Sequence, residues 1–211
     1  MKKLKLLSVI FLFSLLFISK EGFSQIKYSF AFEYSTAFNL GDASNFIDKP
    51  SWGGFSTSFK AITNKKITYG GEIGWNIFNT DFTGTTTFEN GAVTGYQGRY
   101  YNYVPILVNV GYAFQNSRKS KITPYIQANV GAFYIDQQLQ VGVATLENTG
   151  WNFGFGPELG LIYNAGNNLG ITFNAKYNYA LSNGGTNYGE KTVGDGTYSF
   201  FNVNIGIAYI Q

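Results

Sequence analysis

The chain has 211 residues, with 15 Lys and Arg against 12 Asp and Glu, and neither Cys nor His. Without Cys it carries no disulfide, no thiolate metal site and no lipid anchor on an N-terminal Cys. Without His it cannot build a Ser–His or Asp–His pair, which leaves only Ser–Lys or carboxylate-only chemistry open and makes the reading non-enzymatic.

Residues 1–24 read as a cleaved signal peptide. Lys2, Lys3 and Lys5 precede the apolar run 6–18, and Gly22 and Ser24 supply small residues at a cleavage site before Gln25. Its removal takes four of the 15 basic and one of the 12 acidic residues and leaves 25–211 formally neutral. The basic balance is therefore no argument for a nucleic-acid partner.

From residue 26 onward the chain alternates with a period of two. Tyr28, Phe30, Phe32 and Tyr34 share one face and Ser29, Ala31, Glu33 and Ser35 the other. The pattern predicts strands at 26–40, 52–62, 67–77, 100–114, 122–134, 151–163, 169–180 and 198–210. The clearest pair is 151–180. Trp151, Phe153, Phe155 and Leu159 face one way, Asn152, Gly154, Gly156 and Glu158 the other, and a polar turn at 164–168 joins the halves. Small and polar residues stand where a water-facing strand would carry Lys and Glu. That is the pattern of a strand with lipid outside and a narrow polar lumen inside.

The fold class expected is therefore all-β: a transmembrane, antiparallel, up-and-down β-barrel of eight strands with periplasmic termini. Long extracellular loops at 41–51, 78–99, 136–150 and 182–197 alternate with short periplasmic turns at 63–66, 115–121 and 164–168. Alternation inside 78–99 suggests a protruding hairpin. An even strand number closes the sheet and leaves no edge in lipid. Trp52, Trp75 and Trp151 fall near the outer interface, and Tyr28, Tyr112, Tyr163 and Tyr209 near the inner one, as aromatic girdles. A soluble barrel of lipocalin type would turn these rings inward and overfill an eight-stranded interior.

On the inward face lie Glu33, Glu72 and Glu158 with Lys60 and Lys176. In so narrow a space they are expected to form an ionic network with the neighbouring amides, as a plug that fills the barrel or, alternatively, as an ion gate. The five-residue turn would set Glu158 opposite Asn174 and within diagonal reach of Lys176, which predicts a Glu158–Lys176 contact. Loop carboxylates are scattered singly, and Gly154 and Gly156 sit within a strand with no helix after them, so neither a metal site nor a nucleotide loop is indicated and no cofactor is expected.

Over nearly all of 25–211 the chain resembles the small eight-stranded outer-membrane barrels of Gram-negative bacteria, of the OmpA-barrel and OmpX type. Thr123-Pro124-Tyr125 opening a strand and Gly-Pro-Glu-Leu-Gly at 156–160 carry the likeness. Asn204, Gly206 and Tyr209 resemble the closing-strand signal read by the barrel-assembly machinery, with Gln211 where a terminal aromatic is usual. The resemblance implies a monomer in the outer membrane, with lipid and lipopolysaccharide around it and the assembly machinery as a transient partner. The expected role is structural, or a surface interaction through the long loops. An accessory subunit of a protein-secretion or assembly machine and a narrow ion or small-solute channel are the alternatives.

Overall fold

In a computed structural model the described residues are 26–211, apart from 89–90, 115–119, 143, 182–185, 189–190 and 194–196. The expected signal peptide at 1–24 lies outside them, as does most of the turn at 115–121. The elements are β1 (Lys27–Leu40), α1 (Asp42–Phe46), β2 (Ser51–Ile62), β3 (Ile67–Phe88), β4 (Gly91–Ala113), β5 (Ile122–Val141), β6 (Ala144–Gly166), β7 (Leu169–Ala180), β8 (Thr186–Tyr188), β9 (Lys191–Val193) and β10 (Tyr198–Ile210).

The period-two pattern becomes a sheet because each strand buries one parity and exposes the other, as β7 does along its whole length. Eight strands close into an antiparallel barrel in the order β1-β10-β7-β6-β5-β4-β3-β2, and β8 pairs with β9 as a separate ribbon. Closure joins Ser29 to Ile210 and Leu40 to Ser199, so β1 has a neighbour on both sides. Ile26 and Gln211 lie at the end with the short turns, where Tyr28 and Gln211 exchange backbone hydrogen bonds.

The large apolar side chains point outward. Phe32, Val108, Phe153, Leu159 and Ile207 are each more than half exposed, whereas Glu33, Glu158, Asn174 and Lys176 are buried inside. This orientation is the reverse of a lipocalin-type interior.

The strands differ in length. β1, β2, β7 and β10 have 12 to 14 residues, and β3 to β6 have 20 to 23. The expected loop at 78–99 is a hairpin paired down to Phe88 and Gly91, in line with the alternation seen there. The stretch 136–150, read as a loop, is instead ladder from Asp136 opposite Thr149 to Val141 opposite Ala144. It lacks the apolar outer face that marks a membrane strand, but β4 alongside it continues to Gln97 opposite Val141 and supplies a pairing template. Four strands thus run past the rest of the barrel by roughly ten residues, about 30 Å at 3.3 Å per residue.

One turn is tighter than expected. Asn167 and Asn168 both have left-handed φ, 50° and 66°, and Gly166 at φ 100° forms a bulge. This two-residue turn, of the kind that matches strand twist, moves the β6–β7 register by two, so Glu158 faces Lys176 and Gly160 faces Asn174.

Candidate functional site

The interior is layered. Next to the short turns, Ile62, Ala113, Tyr125, Ile162 and Ile210 pack as an apolar floor. The charged groups come next. Glu158 accepts from the Tyr125 hydroxyl at 2.8 Å, Gln127 Nε2 at 2.9 Å and Asn129 Nδ2 at 3.1 Å, and Lys60 Nζ lies 3.5 Å from it. The same ammonium sits 3.7 Å from the centre of the Tyr125 ring. Lys176 pairs with Glu72. Glu33 accepts from Ser56 at 3.1 Å and from Asn174 at 2.9 Å.

The expected Glu158–Lys176 contact brings the two residues face to face, but each takes its ion-pair partner elsewhere. The two residues are directly opposite in the ladder, yet the Glu158 oxygens are occupied by β5 donors and Lys60, and Lys176 reaches Glu72. β2 and β6 are four strands apart in either direction around the barrel, and so are β3 and β7. Both ion pairs consequently span diameters of the lumen. That geometry satisfies buried charge and fills space together, which a pair between neighbouring strands would not do.

Above the charges lies an amide layer. Asn202 Nδ2 donates to Ser35 Oγ at 3.1 Å and Asn76 Oδ1 at 2.9 Å, and Asn178 donates to Asn202 at 2.9 Å. Above that is a plug of rings that the sequence reading did not single out: Phe78, Tyr101, Tyr103, Phe133 and Phe200, all buried. The Tyr103 and Phe200 centroids are 4.3 Å apart. Extending the inward parity of Tyr101 and Tyr103 to Phe133 and Phe200 would have revealed it.

The plug is capped by the β1–β2 connection. Ala43 and Ile47 insert among the rings, Asn39 Nδ2 donates to the Ile47 carbonyl at 2.9 Å, and Arg99 Nη1 donates to the Phe46 carbonyl at 2.9 Å. The Arg99 guanidinium also lies over the Phe46 and Phe82 rings, at 5.4 and 4.7 Å. Burial against these rings lowers its pKa from the ordinary arginine value. No local sequence signal marks Arg99, because its partner is 53 residues away.

The aromatic-girdle residues face outward. Trp52, Trp75 and Trp151 lie toward the long connections, against Phe38, Phe55 and Tyr134 respectively, and the Tyr34 hydroxyl donates to the Trp52 carbonyl. Tyr112, Tyr163 and Tyr209 pair with Ile67, Ile122 and Leu169 beside the short turns. Tyr28 is half-buried and stacks on Phe59. Of the expected assembly-signal residues, Asn204 points inward and donates to Asn174 at 2.9 Å, and Tyr209 points outward. Gly206 lies under Glu33, where a Cβ would stand 2.1 Å from the Phe32 carbonyl oxygen. Asn204 and Gly206 thus have structural work independent of any recognition.

No protein-family model and no curated protein matches the chain. Among solved structures it is similar to Ail, the attachment invasion locus protein of Yersinia pestis, in complex with the heparin analogue sucrose octasulfate. The identity is 13%, over 89% of this chain and 98% of that one, with a TM-score of 0.49. It is also similar to Neisserial surface protein A, at 13% identity over 87% and 96% of the two chains and a TM-score of 0.45. The outer membrane protein AlkL in lipid bilayers matches at 13% identity over 92% and 93%, with a TM-score of 0.41. These are likenesses of shape only, and the eight-stranded barrel is stated on the chain's own strand pairing.

Proposed function

We propose that this protein is a monomeric, non-enzymatic barrel of a Gram-negative outer membrane that acts through the strands projecting from its long-connection end. An exposed belt of Phe, Ile, Val and Leu around a closed sheet supports membrane insertion. In water it would be costly, since fully burying each such side chain is worth about 1.5–3 kcal/mol, whereas lipid solvates it and closure leaves no unpaired backbone within it. The rings above and the apolar floor below the charged layer speak against the channel alternative.

The observation that carries the interaction role is the four-stranded extension of β3 to β6. It is ordered by its own contacts. The Thr85 and Thr94 hydroxyls meet at 2.8 Å, and Asp136 accepts from Asn102 and Gln138, each at 3.2 Å. Among the described residues its β3 edge has no strand partner beyond Ile77, and that edge, Asn-Thr-Asp-Phe-Thr-Gly-Thr-Thr-Thr-Phe at 79–88, carries neither Pro nor Lys. Edges without such protection are sites for another chain to pair.

The test is a mild-detergent pull-down from native outer membranes, with the tag after Gln25. A partner captured by the full chain and lost when 80–97 is replaced by a two-residue turn supports the reading, and its identity decides whether it belongs to a secretion or assembly machine. Undiminished capture by the shortened barrel, or a lone band from the full chain, would discard it.

A further inference from the structure

The charged residues are sorted along the barrel axis. The three short connections, 63–66, 115–121 and 164–168, contain no Asp or Glu. Among the described residues, that end carries Lys27, Lys65, Lys66 and Lys121. The long-connection end has the opposite balance, with Asp42, Asp48, Asp81, Asp136 and Glu147 against Lys49 and Arg99. The other described charges belong to the lumen, where Lys60 and Lys176 each have a carboxylate. Among the described residues none of the four rim lysines has one, and the Lys27 ammonium has no hydrogen-bond partner.

Their placement repeats from strand to strand. β1, β3 and β5 all start at this end, and each is entered through a lysine directly before its first outward residue: Lys27 before Tyr28, Lys66 before Ile67 and Lys121 before Ile122. Ile67 and Ile122 are exposed members of the apolar belt, and Tyr28 stacks on Phe59. The backbone is pinned at two of these points. The Ala113 amide donates to the Lys66 carbonyl at 2.8 Å, and the Asn164 amide to the Lys121 carbonyl at 2.7 Å. The lysines therefore occupy an arc of the rim from β1 to β5, one residue beyond the belt. From there a lysine side chain reaches the level at which lipid headgroups carry their phosphates. β7 breaks the pattern with Asn168 before Leu169, and the turn 164–168 is uncharged, so the arc is one-sided.

We propose that this arc binds phospholipids of net negative charge, with the Lys27, Lys65, Lys66 and Lys121 ammonium groups at the phosphates of the leaflet beside the short turns. An arc without carboxylates cannot neutralise itself, so it draws its counter-charge from the surface it abuts. A zwitterionic headgroup brings its own ammonium, which the lysines repel, so the selection is for the anionic lipid. The acidic balance at the other end disfavours the same lipid there, and the preference belongs to one leaflet. The inference rests on the membrane-barrel reading and adds a lipid contact at the end away from the β3–β6 extension.

The test places the full barrel in phosphatidylcholine vesicles and adds spin-labelled phosphatidylglycerol or spin-labelled phosphatidylcholine. The fraction of each probe that the protein holds immobile gives their relative association. Phosphatidylglycerol is expected to be favoured about fivefold at low salt, the factor for one ammonium near a charged headgroup. The preference should fall toward unity at about 1 M salt, where charges more than about 3 Å apart are screened. Lys27→Gln, Lys65→Gln, Lys66→Asn and Lys121→Gln together should abolish it, the four arginine replacements should keep it, and Lys49→Gln at the other end should leave it unchanged. An inserted barrel that holds both probes equally, or a preference that survives loss of the four lysines, overturns this proposal alone. So does binding of soluble polyglutamate by the same lysines without any lipid preference, which would make the arc a site for an acidic polypeptide. A chain that gives neither a heat-shifted band nor immobilised lipid overturns the membrane reading and this proposal with it.

Discussion

Replacing Lys176 with Met separates the two accounts of how the lumen charges are satisfied. Lys176 and Glu72 are both buried and paired with one another across the barrel. Removing the lysine leaves Glu72 without a counter-ion in a space closed by rings on one side and aliphatics on the other. Breaking such a pair from one side costs about 3–5 kcal/mol, whereas replacing both members is often close to neutral. With a urea slope of about 2 kcal/mol per molar, the single variant loses roughly 2 M in its unfolding midpoint. The assay is urea unfolding of the barrel refolded into lipid vesicles, followed by tryptophan fluorescence and by the mobility shift on boiling. Lys176→Met with Glu72→Gln should recover most of the loss, for a coupling energy of roughly 2 kcal/mol or more. Lys176→Met with Glu158→Gln should not, because Glu158 is held by Lys60 and three neutral donors. Rescue by the Glu158 change in place of the Glu72 change would refute the diametric pairing and restore the pairing along the hairpin.

Three further outcomes follow from named contacts. Gly206→Ala places a Cβ against the Phe32 carbonyl and is expected to reduce the heat-shifting, folded fraction sharply. Gly53→Ala, with open space around its Cβ, should leave that fraction unchanged. Val108→Arg, on the outer face within the apolar belt, should cost about 2–4 kcal/mol in vesicle-based unfolding, with a smaller cost for Trp52→Arg nearer the interface; equal costs would argue against a lipid-facing belt. Asn168→Val forces a β-branched residue into left-handed φ and should destabilise by about 1–2 kcal/mol, while Asn168→Gly should be tolerated in the same assay.

Much of the barrel was legible because a strand writes its two faces into alternate residues. Phe30, Phe32, Phe153 and Ile207 announced the outside, and Glu33, Glu72, Glu158, Lys60 and Lys176 the inside. What alternation does not encode is how far pairing continues. Gln137 and Gln140 have no membrane-facing apolar neighbours to mark them, and they are strand because β4 runs beside them. Register was illegible for a similar reason: the bulge at Gly166 is a backbone event, and it moved Lys176 by two positions. The ion pairing was further out of reach, since choosing Glu72 over Glu158 requires knowing which walls face each other. The cap depends on Arg99 meeting Phe46, a contact between distant segments with no spacing rule.

The diametric ion pairs bear on how the barrel is completed. A curled but open sheet, with β10 not yet set against β1, has no fixed opposite wall, so Lys60 and Lys176 lack settled counter-ions and Glu33 lacks the Asn174 amide that β10 holds through Asn204. Giving these buried charges their partners therefore requires the last seam. Half-zipped forms are penalised in proportion to the charge they enclose, and the seam shuts as a single cooperative event. The buried charges thus act as a checkpoint on circumference: a sheet with one strand too few or too many would not set these partners face to face.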